Sequence, residues 1–241
     1  MFSRKIRASA RLWVILNPAA QRQGIGVGSM PRKGDVMYTQ RISMFPANGK
    51  GPELRPILEE RVRTRQSQGV RAALSMAAFG AEGPVFTVAL LFDDLGALEA
   101  LRANPLPVDP RLATLTRQPN RLELYEVLLP AQASNTPVRY IQRITRTPLA
   151  GKGRDVRALV LELAKARQTD GIRTTVAVQV AGPAATSVVT NTLFGNLAEL
   201  EKLRARNQTD TALQQFQEKI STVAGPQQTE IFESLIPFQP M

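Results

Sequence analysis

YTQRISMFPANGKG, residues 38–51, returns as YIQRITRTPLAGKG at residues 140–153. The two copies stand 102 residues apart, and the same offset carries Tyr38–Ala103 onto Tyr140–Ala205 without a gap. Shared positions include Gln40/Gln142, Arg41/Arg143, Pro46/Pro148, Gly49/Gly151, Lys50/Lys152, Gly51/Gly153 and Arg71/Arg173. Self-similarity at a fixed spacing marks one structural unit used twice.

Working outward from the first copy, residues 36–45 alternate as a strand. Tyr38, Gln40, Ile42 and Met44 share one face and Thr39, Arg41 and Ser43 the other. Pro46 ends the strand, and the Asn48-Gly49-Lys50-Gly51 turn leads into a helix over residues 53–68, with Pro52 in its first turn and Leu54, Ile57, Leu58 and Val62 at helical spacing. Residues 70–79 and 85–92 read as two strands joined by a hairpin connection over 80–84, the second of them nearly all apolar. Asp93-Asp94 caps a second helix, the proline-rich stretch 105–110 is a connection, and residues 121–129 form a fourth strand. The second copy gives strands at 138–147, 172–181, 187–194 and 229–236, a helix at 155–169, and one continuous helix from Leu197 to about Val223.

The order strand, helix, strand, strand, helix, strand makes a four-stranded antiparallel sheet with both helices on one face, the ferredoxin-like arrangement. The bare face of each sheet must be covered. A second sheet in the same chain supplies the cover. The expected fold is therefore α+β: two ferredoxin-like βαββαβ repeats, at residues 36–130 and 138–237, packed sheet to sheet as an intrachain pseudo-dimeric α+β barrel with a linker over 131–137.

Composition narrows the chemistry. The 43% hydrophobic content supports a real core. With no Cys there are no disulfides, thiolate metal sites or cysteine nucleophiles, and with no His the commonest general base, metal ligand and haem ligand is missing. No metal site and no cofactor is expected. The net charge of +11 is unevenly placed: Arg4, Lys5, Arg7, Arg11, Arg22, Arg32 and Lys33 lie in an acid-free segment, leaving 24 basic against 20 acidic residues in the remainder. A body near neutrality gives no basic face for nucleic acid. No segment reaches the ~18–20 apolar residues a membrane helix needs. Residues 1–35 read as a basic, glycine-interrupted tail. It is an organelle-targeting presequence, a disordered arm, or the product of an over-extended start with Met30 or Met37 as the true beginning. Without a targeting role the location is cytoplasmic.

The openings QRISMFPANGKGPELRPILEE and QRITRTPLAGKGRDVRALVLE resemble the dimeric α+β barrel superfamily as a fused tandem, and look like NIPSNAP-type and antibiotic-biosynthesis-monooxygenase-type members. The resemblance covers about residues 36–237. It implies a barrel whose relatives include cofactor-free oxygenases, haem-binding and haem-degrading proteins and lactone isomerases. The histidine those haem proteins use is absent here, so no catalytic residue is carried over.

Candidate site residues follow from charge in apolar surroundings. Lys50 and Lys152 sit in turns before helix starts, where free N–H groups and the helix dipole favour an anion; the structural alternative is a tight glycine turn. Gln40, Arg41 and Arg71, with Gln142, Arg143 and Arg173, are polar residues in apolar strands. They either form cross-strand ion pairs, Arg41 with Glu123 or Glu126 and Arg143 with Glu230 or Glu233, or line a cavity between sheet and helices where arginines hold a carboxylate or enolate. The copies differ at Met44/Arg146, Phe45/Thr147 and Tyr125/Phe232, which makes the halves unequal. The leading expectation is a protein that binds a small organic or anionic ligand. The alternatives are a cofactor-independent monooxygenase or isomerase and an oligomeric interaction scaffold.

Overall fold

The computed structural model describes residues 36–239 apart from Glu82 and Ala185. The basic tail expected over residues 1–35 lies outside the described residues. In chain order the elements are β1 (Met37–Met44), α1 (Gly51–Ser67), β2 (Arg71–Phe79), β3 (Phe86–Phe92), α2 (Leu95–Ala103), α3 (Leu112–Leu115), β4 (Arg121–Leu129), β5 (Tyr140–Arg146), α4 (Gly153–Thr169), β6 (Thr174–Ala181), β7 (Val188–Phe194), α5 (Leu197–Thr209), α6 (Thr211–Ser221) and β8 (Gln228–Ile236). Asp94 caps α2 by accepting from Ala97 N at 2.7 Å. Two elements differ from the sequence expectation. The proline-rich connection is followed by the short helix α3. The long helix from Leu197 is two helices, because Asp210 adopts extended backbone and its side chain accepts from Leu213 N at 3.1 Å to start α6. A carboxylate beside threonines offers the backbone a cap in place of a helical turn.

All eight strands are antiparallel and close into a barrel in the order β1-β3-β2-β8-β5-β7-β6-β4, with β4 returning to β1. Each half contributes four adjacent strands, and their ladders correspond: Tyr38 pairs with Phe92 as Tyr140 pairs with Phe194. Closure goes further than two sheets laid face to face. The outer strands hydrogen-bond across the halves, β2 with β8 and β4 with β6, so no strand edge is left open. Both seams are irregular, each with two register shifts. Each also carries a glycine of positive φ that lets two backbones approach. A Cβ on Gly80 (φ +83) would lie 2.4 Å from Thr229 O. One on Gly182 (φ +123) would lie 2.5 Å from Gln179 Nε2 and 3.2 Å from Leu122 O.

Helices cover the outer face. Leu54, Leu58 and Val62 of α1 are almost wholly enclosed against Ala72, Leu74, Phe86, Val88 and Leu90. In the second half Val156 and Val160 of α4 and Leu213, Phe216 and Ile220 of α6 pack on Val176, Val178 and Val188. With side chains alternating, these apolar positions leave Thr39, Arg41, Ser43 and their cross-strand partners facing the barrel interior.

Candidate functional site

The interior is built from matching rows. Glu123, Arg41, Ala89 and Ala73 are successive partners across β4, β1, β3 and β2. Glu230, Arg143, Asn191 and Thr175 are the corresponding partners across β8, β5, β7 and β6. One row along, Tyr125 lies opposite Thr39 and Phe232 opposite Ile141.

The two arginines converge. The guanidinium carbons of Arg41 and Arg143 stand 5.3 and 5.7 Å from the centre of the same Phe232 ring, and Arg143 also lies 5.8 Å from the Tyr125 ring. Their carboxylate partners are unequally shared. Arg41, 3% exposed, has Glu123 at 3.5 Å and Glu230 at 4.0 Å. Arg143 has no carboxylate within 4.0 Å among the described residues. Its Nε donates to Asn191 Oδ1 at 3.1 Å, and Asn191 Nδ2 donates to Thr175 Oγ1 at 3.1 Å. Arg143 is half-buried as a residue, yet its Nη1 is enclosed and has no hydrogen-bond partner among the described residues. Burial first, then the neighbouring Arg41 charge, pushes the Arg143 pKa down to about 10. The interior thus holds two aromatic rings, two carboxylates and two guanidinium groups short of acceptors, Arg143 at Nη1 and Arg41 at Nε and Nη2.

The remaining candidates are dispersed. Gln40 and Gln142 are not with the arginines: the alternation that turns Arg41 inward turns Gln40 outward, beside Leu90 and Leu124, and puts Gln142 beside Thr192 and Ile231. The expected arginine-lined cavity between sheet and helices is corrected accordingly. Arg41 and Arg143 lie on the other side of the sheet. Arg71 pairs with Asp93, and Arg173 Nη1 donates to Thr136 O at 2.6 Å, so these two fasten strand ends and linker. Lys50 and Lys152 are bound in exposed pairs with Glu53 at 2.6 Å and Asp155 at 3.3 Å, within turns closed by Lys50 N to Ala47 O and Lys152 N to Leu149 O. A pocket of about 180 Å³ lined by Met44, Leu112, Thr116 and Asn120 lies outside the barrel, beneath α3.

Asn191 and Thr175 were legible as differences between the copies, where Ala89 and Ala73 stand in the first. Their meaning depends on the register that places them beside Arg143.

Three solved structures share this architecture. A protein from Fusobacterium nucleatum described as "Putative monooxygenase" superposes with a TM-score of 0.69 at 7% identity, covering 86% of this chain and 96% of the other. A protein of the same description from Lactobacillus acidophilus gives 0.63 at 9%, covering 85% and 97%. The chain shares with them an α+β fold built on a closed eight-stranded antiparallel barrel. An anthrone oxidase-like protein gives 0.61 at 15% identity, with 86% and 94% covered. No protein-family model and no curated protein sequence matches the chain. No helix of the described residues is long and apolar enough to cross a membrane.

Tyr125 gives the barrel interior a spectroscopic handle. Burial pushes its phenol up from 10.0. A raised folded pKa means that its contribution to stability is full below pH 10 and is lost as pH climbs through the folded value. Phenolate absorbance at 295 nm is expected to show one tyrosine ionising late, together with unfolding. Tyr125→Phe is expected to remove that step; a late step that survives the substitution belongs elsewhere.

Proposed function

We propose that the chain is a fused pair of ferredoxin-like repeats, at residues 36–130 and 138–237, that binds a small organic anion inside the barrel at Arg143. One observation carries the reading: Arg143 has an enclosed, unpartnered Nη1 and no carboxylate within 4.0 Å among the described residues, whereas its counterpart Arg41, unpartnered at Nε and Nη2, has two carboxylates within that distance. A buried cation lacking a counter-charge is costly unless something neutralises it. The rings of Tyr125 and Phe232 flank it, so a flat carboxylate or enolate fits best. Arg41 helps by raising the local positive potential, and Asn191 fixes the plane of the Arg143 fork.

The test is calorimetric titration of the full chain with benzoate, alongside native mass spectrometry of protein purified from its own host. Arg143→Gln is expected to weaken benzoate at least tenfold while Lys50→Gln leaves it unchanged. Equal affinity in wild type and Arg143→Gln, or no benzoate binding and no retained small molecule, overturns the reading.

A second reading is favoured by the single interior phenol. Tyr125 beside Arg143, in a fold shared with proteins described as monooxygenases and an anthrone oxidase, suits a cofactor-independent oxygenase in which Arg143 stabilises an enolate. Incubating the chain with anthrone in air tests it: anthrone and O2 give anthraquinone and water, and a rate no greater than the spontaneous one rejects it. Assembly into oligomers and a cytoplasmic location belong to the same proposal, the former checked by light scattering.

A further inference from the structure

The two inner walls of the barrel differ in one row. Across β1, β3, β2 and β8 the successive partners are Ser43, Thr87, Ser75 and Ser234, a line of hydroxyl residues. Ser43 and Thr87 alternate with Met44 and Val88, which pack in the core outside the barrel, so both face the lumen. They are 0 and 4% exposed, and neither Ser43 Oγ nor Thr87 Oγ1 has a hydrogen-bond partner among the described residues. At the same offset of 102 the second half has Thr145, Val189 and Ala177 for Ser43, Thr87 and Ser75. There Val189 and Ala177 pack with Tyr125 as an apolar wall. The hydroxyl row stands two residues along each strand from the row of Arg41, Ala89 and Ala73. Those alanines make room, since the second half has the larger Asn191 and Thr175 in their places. Both are only half-buried, although α1 and its core cover the outer side of their strands through Ala72, Leu74, Val88 and Leu90. The surface they keep therefore opens to the lumen.

Enclosed hydroxyls without partners cost free energy until a polar group meets them. Each can donate one hydrogen bond and accept others, so Ser43 and Thr87 together can meet a ligand hydroxyl as both donor and acceptor. A bare hydrocarbon edge satisfies neither. Two residues of strand span about 7 Å, the reach of a benzene ring between a carboxylate on one edge and a hydroxyl on the opposite edge.

We propose that the ligand of the lumen is an aromatic carboxylate carrying a hydroxyl opposite its carboxylate, and that Thr87 and Ser43 are the residues that read that hydroxyl. The inference rests on the reading of Arg143 as the carboxylate site and adds what selects the other end of the molecule. The ring lies over the alanine shelf, with the apolar wall of Val189 and Tyr125 across the lumen. The wall that reads the hydroxyl belongs to the first half and the arginine without a carboxylate to the second, so the ligand enters in one orientation. Packing alone does not call for the hydroxyl row, because Val189 and Ala177 fill the corresponding places in the second half without unpaired donors.

The experiment is isothermal titration of the full chain with 4-hydroxybenzoate, benzoate and 2-hydroxybenzoate, the last of which bonds its hydroxyl to its own carboxylate and cannot reach the row. 4-Hydroxybenzoate is expected to bind about fivefold or more tightly than either, the gain that one or two neutral hydrogen bonds supply. Thr87→Val, which copies Val189, and Ser43→Ala are each expected to cut that preference at least twofold. The preference is a ratio, so damage to the lumen as a whole, which weakens all three ligands together, leaves it in place. Benzoate binding that depends on Arg143 but gains less than fivefold from the hydroxyl overturns this inference and leaves the Arg143 reading standing. A preference equal in wild type and in both variants overturns the assignment to Thr87 and Ser43. If none of the three ligands binds, both readings fall.

Discussion

Gly80→Ala is expected to destabilise the chain by about 2–4 kcal/mol, the sum of a left-handed backbone penalty and the strain of parting two strands. Gly80 has φ +83, and the added Cβ would meet the Thr229 carbonyl oxygen at 2.4 Å. That oxygen belongs to β8, so relief requires the β2–β8 seam to open, not a side chain to turn. Gly182 occupies the matching place on the other seam, but the nearest atom there is a side-chain nitrogen, Gln179 Nε2. Gly182→Ala is therefore expected to be the milder of the two. Urea unfolding gives both values. A Gly80→Ala midpoint indistinguishable from wild type would mean that the seam tolerates a wider spacing than its hydrogen bonds imply.

Glu123→Ala is expected to remove about 3–5 kcal/mol, the range for stripping one partner from a buried ion pair. Arg41 is 3% exposed and Glu123 7%, so water does little to solvate the charge left behind. Glu230, 4.0 Å from Arg41, moderates the loss and points to the lower end of that range. The double replacement Arg41→Met with Glu123→Leu is expected to recover most of the stability, because well-packed apolar residues commonly equal a buried pair. A double-mutant cycle measures this directly. If the single and double replacements lose the same amount, the pair is not what stabilises the interior.

The strands were readable because alternation is a local property of sequence. Residues 121–129 were placed as a strand to the residue. The break at Asp210 was not, since a capping carboxylate looks like any polar residue on an amphipathic helix until the chain turns there. Among candidate site residues, charge in an apolar strand drew attention to Arg41 and Arg143, and the pairing of first and fourth strands offered Glu123 as a partner of Arg41, which the structure has at 3.5 Å, but not Glu230. The register sets Arg143 opposite Glu230, yet that carboxylate comes within 4.0 Å of Arg41, across the barrel. Contacts across a closed barrel depend on curvature, which no spacing encodes. Lys50 and Lys152 attracted notice through a turn motif, and each proved bound to a neighbouring carboxylate.

The segment joining β4 to β5 places both halves of the barrel in one polypeptide. Two identical subunits would have to accept every substitution twice, once on each side of their axis. A single chain escapes that rule: one side can carry a phenol, Tyr125, where the other has the phenyl ring of Phe232, or an arginine, Arg146, where the other has the thioether of Met44. Tethering thus turns a symmetric container into one with a left and a right, and it makes assembly of the barrel independent of how dilute the protein becomes.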